Sequence, residues 1–231
     1  MYNMLIPKLL RYVMTTTLKH GYDESHGLGH SMNVLYYSHN IFNDEVIRNR
    51  NLKKYERIIY TSAIIHDMCD KKYVDTQTEI KNIESFLEDK LEPYEIDATK
   101  QIISTMSYSY VKKNGFPKLN ELQPAYNIVR EADLLTGYDF DRSLIYNMTM
   151  GGTSLEQAYV NADDLFTNRV LKHKSDGLFT TQYALRVCNG LCVKALERKI
   201  HWKNIIKSDT TYIKKCCDDN LAQCSCFLCK K

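Results

Sequence analysis

Apolar residues recur along the chain at three- and four-residue spacing, and the alternating runs that build half-buried strands are short or missing. The pattern predicts an all-α protein. Ile80, Ile83, Leu87 and Leu91 fall on one face of a helix over 79–91. Leu155, Tyr159, Ala162, Phe166 and Val170 do the same in a later helix, which opens with Ser154 and Gln157 at capping-box spacing and should stop near Asp176-Gly177. Further helices are expected over 28–49, 53–68, 94–107, 122–136, 138–149 and 180–206, with loops at Glu92-Pro93, Asn114-Gly115-Phe116-Pro117 and Gly151-Gly152. After about residue 207 the periodicity is lost and five of the eight cysteines appear, which places a helical domain over 1–207 and a short Cys-rich C-terminal tail over 208–231.

Composition works by exclusion. With 231 residues and 44% hydrophobic content, the chain can bury a core without disulfides or a structural metal. A formal charge of +3, from 31 Lys and Arg against 28 Asp and Glu, is too weak to argue for a nucleic-acid or membrane partner. Pro7 and Lys8 interrupt the apolar start, so no secretion signal is expected, and no apolar run approaches the ~18 residues of a membrane span. The expected setting is intracellular, most simply cytoplasmic, where cysteines stay free or bind metal.

Three stretches hold residues suited to a metal: Ser25-His26-Gly27-Leu28-Gly29-His30 opening one helix, His66-Asp67-Met68-Cys69-Asp70 closing an apolar one, and Glu131-Ala132-Asp133 inside a third. An Asp at the apolar end of a helix is costly unless its charge is paired or coordinated. Two imidazoles and two carboxylates make a mixed N/O set for a divalent first-row ion with positions left open. Such an ion lowers the pKa of bound water from 15.7 toward about 7 and stabilises charge on a phosphoryl oxygen, which is hydrolytic chemistry.

The ordered set His30, His66-Asp67, Asp133 resembles the HD-domain superfamily of metal-dependent phosphohydrolases, whose pattern is a His, a His-Asp doublet and a distant Asp, all on helices. The similarity covers about residues 20–185, and His26 matches the form with a His four residues before the ligand His. The resemblance implies a compact multi-helix HD-domain bundle in which His30, His66, Asp67 and Asp133 hold one divalent ion (Mn, Co, Ni, Fe, Zn or Mg). It implies Asp67 and Asp70 as the catalytic carboxylates, Asp70 standing where several nucleotidase-like members have a Glu that assists proton transfer. Asp is shorter there by one methylene. No His lies between His66 and His173, which favours a single ion over the di-metal and oxygen-dependent forms.

A phosphorylated substrate, a nucleotide first among them, needs cations near the ion. Lys71 and Lys72 follow Asp70 directly, and Arg130 stands three residues before Asp133 on a helix. Lys71 ranks first; Arg169 and His173, at i, i+4 spacing, rank lower. His26 reads as a residue that orients His30 rather than a ligand, and His20 and His39 as surface or core-edge residues. Tyr108 and Tyr110 read as core-edge residues rather than a base-stacking platform. Cys188 and Cys192 read as small buried apolar groups. In the tail, Cys216, Cys217, Cys224, Cys226 and Cys229 lack the paired Cys-x-x-Cys spacing of a zinc knuckle, so free thiols are expected over a zinc site. The leading expectation is a metal-dependent phosphohydrolase; the alternative is a noncatalytic HD-type nucleotide-binding or scaffolding module.

Overall fold

The computed structural model describes residues 2–219, with side chains over 4–208. Among these residues every regular element is helical: α1 (Tyr2–His20), α2 (Leu28–Arg48), α3 (Glu56–Ile65), α4 (Thr76–Leu87), α5 (Pro93–Thr105), α6 (Tyr108–Asn114), α7 (Gln123–Thr136), α8 (Phe140–Thr149), α9 (Leu155–Asn168) and α10 (Gln182–Asp219), joined by short 3-10 turns. No helix of the described residues is long and apolar enough to cross a membrane.

The packing centres on α3. Every residue from Ile58 to Ile65 is buried, as expected of a helix that is apolar all round. One side, with Ile58, Ile59 and Ala63, joins a cluster containing Val34 and Ile41 of α2, Val129 and Ala132 of α7, and Phe166 of α9. Ile64 and Ile65 join a second cluster with Leu9 and Val13 of α1, Ile83 of α4 and Ile103 of α5. Each such side chain contributes about 1.5–3 kcal/mol by leaving water. α3 therefore ends, at His66, in the interior between two cores, and α2 and α7 pack against each other and against α3.

Several expected helices appear with shifted ends. The predicted 53–68 helix is a 3-10 turn over Arg50–Tyr55 followed by α3, so the His-Asp doublet sits just beyond the last helical turn. The helix opened by Ser154, whose Oγ does accept from Gln157 N, stops at Asn168 rather than near Gly177, because Arg169 leaves helical geometry at φ −135°. Gly177 turns the chain later, at φ +67°, where a side chain would be strained. α1 and α6 are additional to the sequence expectation. Pro7 is the sixth residue of α1, just past the first turn, and forfeits one intrahelical amide donor there.

α10 runs unbroken through residue 207 to Asp219, so the expected boundary does not coincide with a break in the helix. The periodicity fades because the helix leaves the core: Lys203, Asn204 and Ile205 are already exposed. Cys216 and Cys217 lie on this helix beyond the described side chains, and Cys224, Cys226 and Cys229 lie outside the described residues.

The start of α10 is fastened to α7 by one buried carboxylate. Glu131 accepts from the backbone N and Oγ1 of Thr180 through Oε1, at 2.8 and 2.6 Å. Through Oε2 it accepts from the same two groups of Thr181, at 3.0 and 2.6 Å. Burial raises the Glu131 pKa, and the four donors oppose that rise. Next to it, Arg130 Nη1 donates to the Leu178 carbonyl at 2.9 Å.

Candidate metal centre

His30 occupies the first turn of α2, and His66 and Asp67 follow the end of α3. Asp133 lies in the last turn of α7. Because α2 and α7 both pack on α3, these three chain segments meet. His30, His66 and Asp133 each offer a ligand atom within 4.8 Å of the others, a group that could hold a metal ion.

The contacts are closer than that limit. His30 Nε2 lies 3.0 Å from His66 Nε2. Asp67 Oδ2 is 3.1 Å from His30 Nε2 and 3.2 Å from His66 Nε2. Asp133 Oδ1 is 3.4 and 3.6 Å from the same two nitrogens. Donor atoms at about 2.0–2.1 Å from a common ion stand about 3.0 Å apart at right angles and about 3.4 Å apart in a tetrahedron. The observed separations span those edges.

Hydrogen bonding decides which ring nitrogen faces the centre. His66 Nδ1 donates to the Ala63 carbonyl at 3.0 Å, which leaves Nε2 as the inward atom. On His30 the outer nitrogen meets Thr136 Oγ1 at 3.4 Å, and that hydroxyl itself donates to the Asp133 carbonyl at 2.7 Å. Asp67 Oδ2 is buried and receives no directed hydrogen bond despite its two close nitrogens. An inward-facing imidazole pair and an orphaned carboxylate oxygen are the arrangement a cation completes.

Charge balance agrees. Burial acts to lower the His66 pKa, yet Asp67 and Asp133 outweigh it and raise the value to about 10. Burial likewise pushes both carboxylates up, and the two histidines overcome it, holding Asp67 and Asp133 well below the usual carboxylate range. The imidazole side is sealed, with His30 4% and His66 6% exposed, whereas the Asp67 and Asp133 side chains retain 18% and 25%. The centre therefore opens on its carboxylate side.

It opens into a cleft of about 770 Å³, and residues from all three candidate metal-ligating stretches line it. Asp70 lines it too, with Oδ1 accepting from Lys72 N at 3.0 Å. Lys71 is exposed on the same wall and forms no ion pair among the described residues. Lys72 stands 3.7 Å from Asp70 Oδ2 and 4.9 Å over the Tyr146 ring. Arg130 is not brought to the cleft. Its guanidinium is held by the Leu178 carbonyl just before α10 and lies 4.6 Å from the Phe116 ring.

Two arginines stand where Arg130 was expected. Arg142, absent from the sequence expectation, lines the cleft with Nη2 3.9 Å from Asp67 Oδ2, and its Nε donates to the Ser25 carbonyl. A signal existed: it sits in the first turn of α8, after the cap Asp139, where the helix dipole disfavours a cation unless something else holds it. Arg169 lines the opposite part with Cζ 3.9 Å over the Tyr108 ring. Tyr108 and Tyr110 both line the cleft, so neither is confined to the core edge.

His26 does not orient His30. Its Nδ1 lies 2.7 Å from Ser25 Oγ and 3.0 Å from Tyr73 OH, and Tyr73 donates to Asp23. The supporting contact comes from Thr136, which nothing in the sequence marked out. His39 meets Tyr60 OH at 2.8 Å and His20 meets Glu79 at 3.2 Å, consistent with core-edge roles. Burial pushes the Cys69 thiol up to about 12, so it stays protonated beside the site.

His173 faces the cleft at 1% exposure. Burial first, then Arg169, lowers its pKa from 6.5 to about 4. The unfolded chain therefore binds the extra proton more readily between these values, and stability present above pH 6.5 is lost as pH falls toward 4. The expected loss from this residue is on the order of 2–3 kcal/mol. Urea-unfolding midpoints taken across that range in wild type and His173→Gln check it, the variant showing the flatter profile.

No family model matches the chain. No curated protein matches it. Among solved structures, it is similar to a crystal structure of a structural-genomics target protein from Lactobacillus plantarum, at 18% identity and a TM-score of 0.66, over 88% of this chain and 97% of that one. At that identity the likeness shows a shared fold.

Proposed function

We propose that the protein is a metal-dependent phosphohydrolase that cleaves a phosphate ester or anhydride of a small molecule, with a nucleotide as the leading candidate substrate. One observation carries the reading: a mixed N/O set with inter-ligand separations of 3.0–3.6 Å sits on the floor of a cleft whose walls bear Lys71, Lys72 and Arg142. Acidic ligands alone would repel a phosphate, and the cations offset that repulsion. The cleft volume of about 770 Å³ lies within the usual range for small-molecule sites.

His30, His66, Asp67 and Asp133 would hold one divalent ion, drawn from Mn, Co, Ni, Fe, Zn or Mg. When bound, such an ion supplies Lewis acidity toward a phosphoryl oxygen and lowers the pKa of bound water. The chain's own residues do the rest. Thr136 and the Ala63 carbonyl fix the two imidazoles, so the ligands need no reorganisation. Asp70, held at the cleft wall by the Lys72 amide, is placed to take or return a proton. Arg142 spans the Ser25 carbonyl and Asp67, tying that carboxylate's position to α8 while presenting positive charge. Lys71, unengaged and exposed, is the first cation that an incoming phosphate would meet.

The test is a panel. Full-length protein loaded with each candidate metal is assayed on nucleoside mono- and triphosphates for orthophosphate and pyrophosphate release, with metal content measured in parallel. Bound metal near one equivalent and turnover of at least one substrate are expected. Metal and nucleotide bound with no release across the panel would overturn the enzymatic reading in favour of a binding module.

A further inference from the structure

Arg169 and His173 have no part in the chemistry described so far. They stand four residues apart where α9 gives way to the 3-10 turn, and both face the cleft. His173 is 1% exposed, yet neither ring nitrogen has a hydrogen-bond partner. Arg169 rests on the face of Tyr108, its Nε is buried without an acceptor, and it enters no ion pair among the described residues. Arg130 adds a fully buried guanidinium whose charge acts on His173, with Nε and Nη2 unpaired, whereas Arg169 is part-buried.

Such a cluster is costly. A desolvated cation without a counterion loses hydration, and the Tyr108 face and the Leu178 carbonyl offset only part of that loss. Asp133 acts on both guanidiniums, but that carboxylate is already engaged with His30 and His66. The cluster is therefore positive, lined with unmatched donors, and open to the same cleft as the metal centre.

We infer that Arg169 and His173 form an anion subsite, which receives a second phosphoryl group joined to the one that reaches the His30, His66, Asp67 and Asp133 centre. The inference rests on the phosphohydrolase reading and narrows it to substrates carrying linked phosphates. The guanidinium fork, held 3.9 Å over the Tyr108 ring, suits two phosphoryl oxygens, and an imidazole N–H suits a third. A monoester would fill the metal end alone and leave both groups without a partner, whereas a diphosphate or triphosphate would satisfy them.

Calorimetric titration of the full-length, metal-loaded protein with methylphosphonate and methylenediphosphonate tests this, since neither probe is hydrolysed. Wild type should bind the diphosphonate about tenfold to a hundredfold more tightly. Arg169→Gln should lose that margin while keeping its metal content and its affinity for methylphosphonate; Arg169→Lys, which keeps charge but not the fork, should fall between. Two phosphonates on one ion would chelate without any help from Arg169, so an unchanged margin in both variants overturns the subsite. The two readings fail separately. A protein that holds no metal but still loses its diphosphonate preference with Arg169→Gln would sink the proposed function and leave the subsite standing. A hydrolytic metalloprotein indifferent to Arg169 would do the reverse.

Discussion

Asp67→Ala is expected to yield a folded protein that holds no metal and releases no phosphate. Asp67 Oδ2 touches both imidazole nitrogens within 3.2 Å and has no directed hydrogen-bond donor, so its deletion removes the proposed ligand at the cost of one long contact, that to Arg142 at 3.9 Å. The loss should exceed the about 10- to 100-fold that follows removal of a residue merely supporting a ligand. Thr136→Val gives that smaller effect for comparison, because it removes the hydroxyl beside His30 and leaves all four proposed ligands. Metal content by atomic emission and turnover on the most active substrate read both variants. Full activity in Asp67→Ala would end the case for the centre. Since each ligand binds metal only when deprotonated, occupancy in wild type should also fall as the pH is lowered.

The second large effect concerns stability. Glu131→Ala should lower the unfolding free energy by about 3–5 kcal/mol, because it strands two amides and two hydroxyls that all donate to one carboxylate. For a chain of this length that corresponds to a fall in Tm of about 10 °C. Differential scanning calorimetry of the two proteins checks it. A shift within about 1 °C would mean that water replaces the carboxylate at the α7–α10 junction. Glu131→Gln should recover only part of the loss, since its amide nitrogen would face donors.

The helical pattern carried most of the architecture because α2, α3, α7 and α9 each bury a face set by three- and four-residue spacing. Ile83 and Leu87, or Ala162 and Phe166, could be placed from their positions alone. α1 was obscured by Pro7 near its start, and α10 by the disappearance of an apolar stripe where the helix leaves the core. Within the site, His30, His66, Asp67 and Asp133 were legible because charged residues in apolar helices demand partners. Arg130 and Glu131 satisfied the same criterion for a different reason: their partners are the Leu178 carbonyl and the two threonines. Sequence alone does not distinguish a buried charge that serves a ligand from one that fastens a helix. Thr136 carried no signal because its role depends on a distant residue, His30, and Arg142 carried only that of a cation in the first turn of a helix, its partner being the distant Ser25 carbonyl.

The Glu131 clamp also has a topological meaning. It joins positions 49 and 50 residues apart and so closes a loop of chain that contains Asp133, Arg142, Arg169 and His173. His30, His66 and Asp67 all precede that loop. Asp133 stands at the mouth of the loop and meets His30 and His66 through the packing of α7 on α2 and α3, whereas Arg169 and His173 lie far inside it, and a closure of this length costs chain entropy before any contact offsets it. The candidate ligands and the inner cations are thus separable in the fold: loss of the clamp would loosen the chain that carries Arg169 and His173 while the packing of α2, α3 and α7 still holds His30, His66 and Asp133 together.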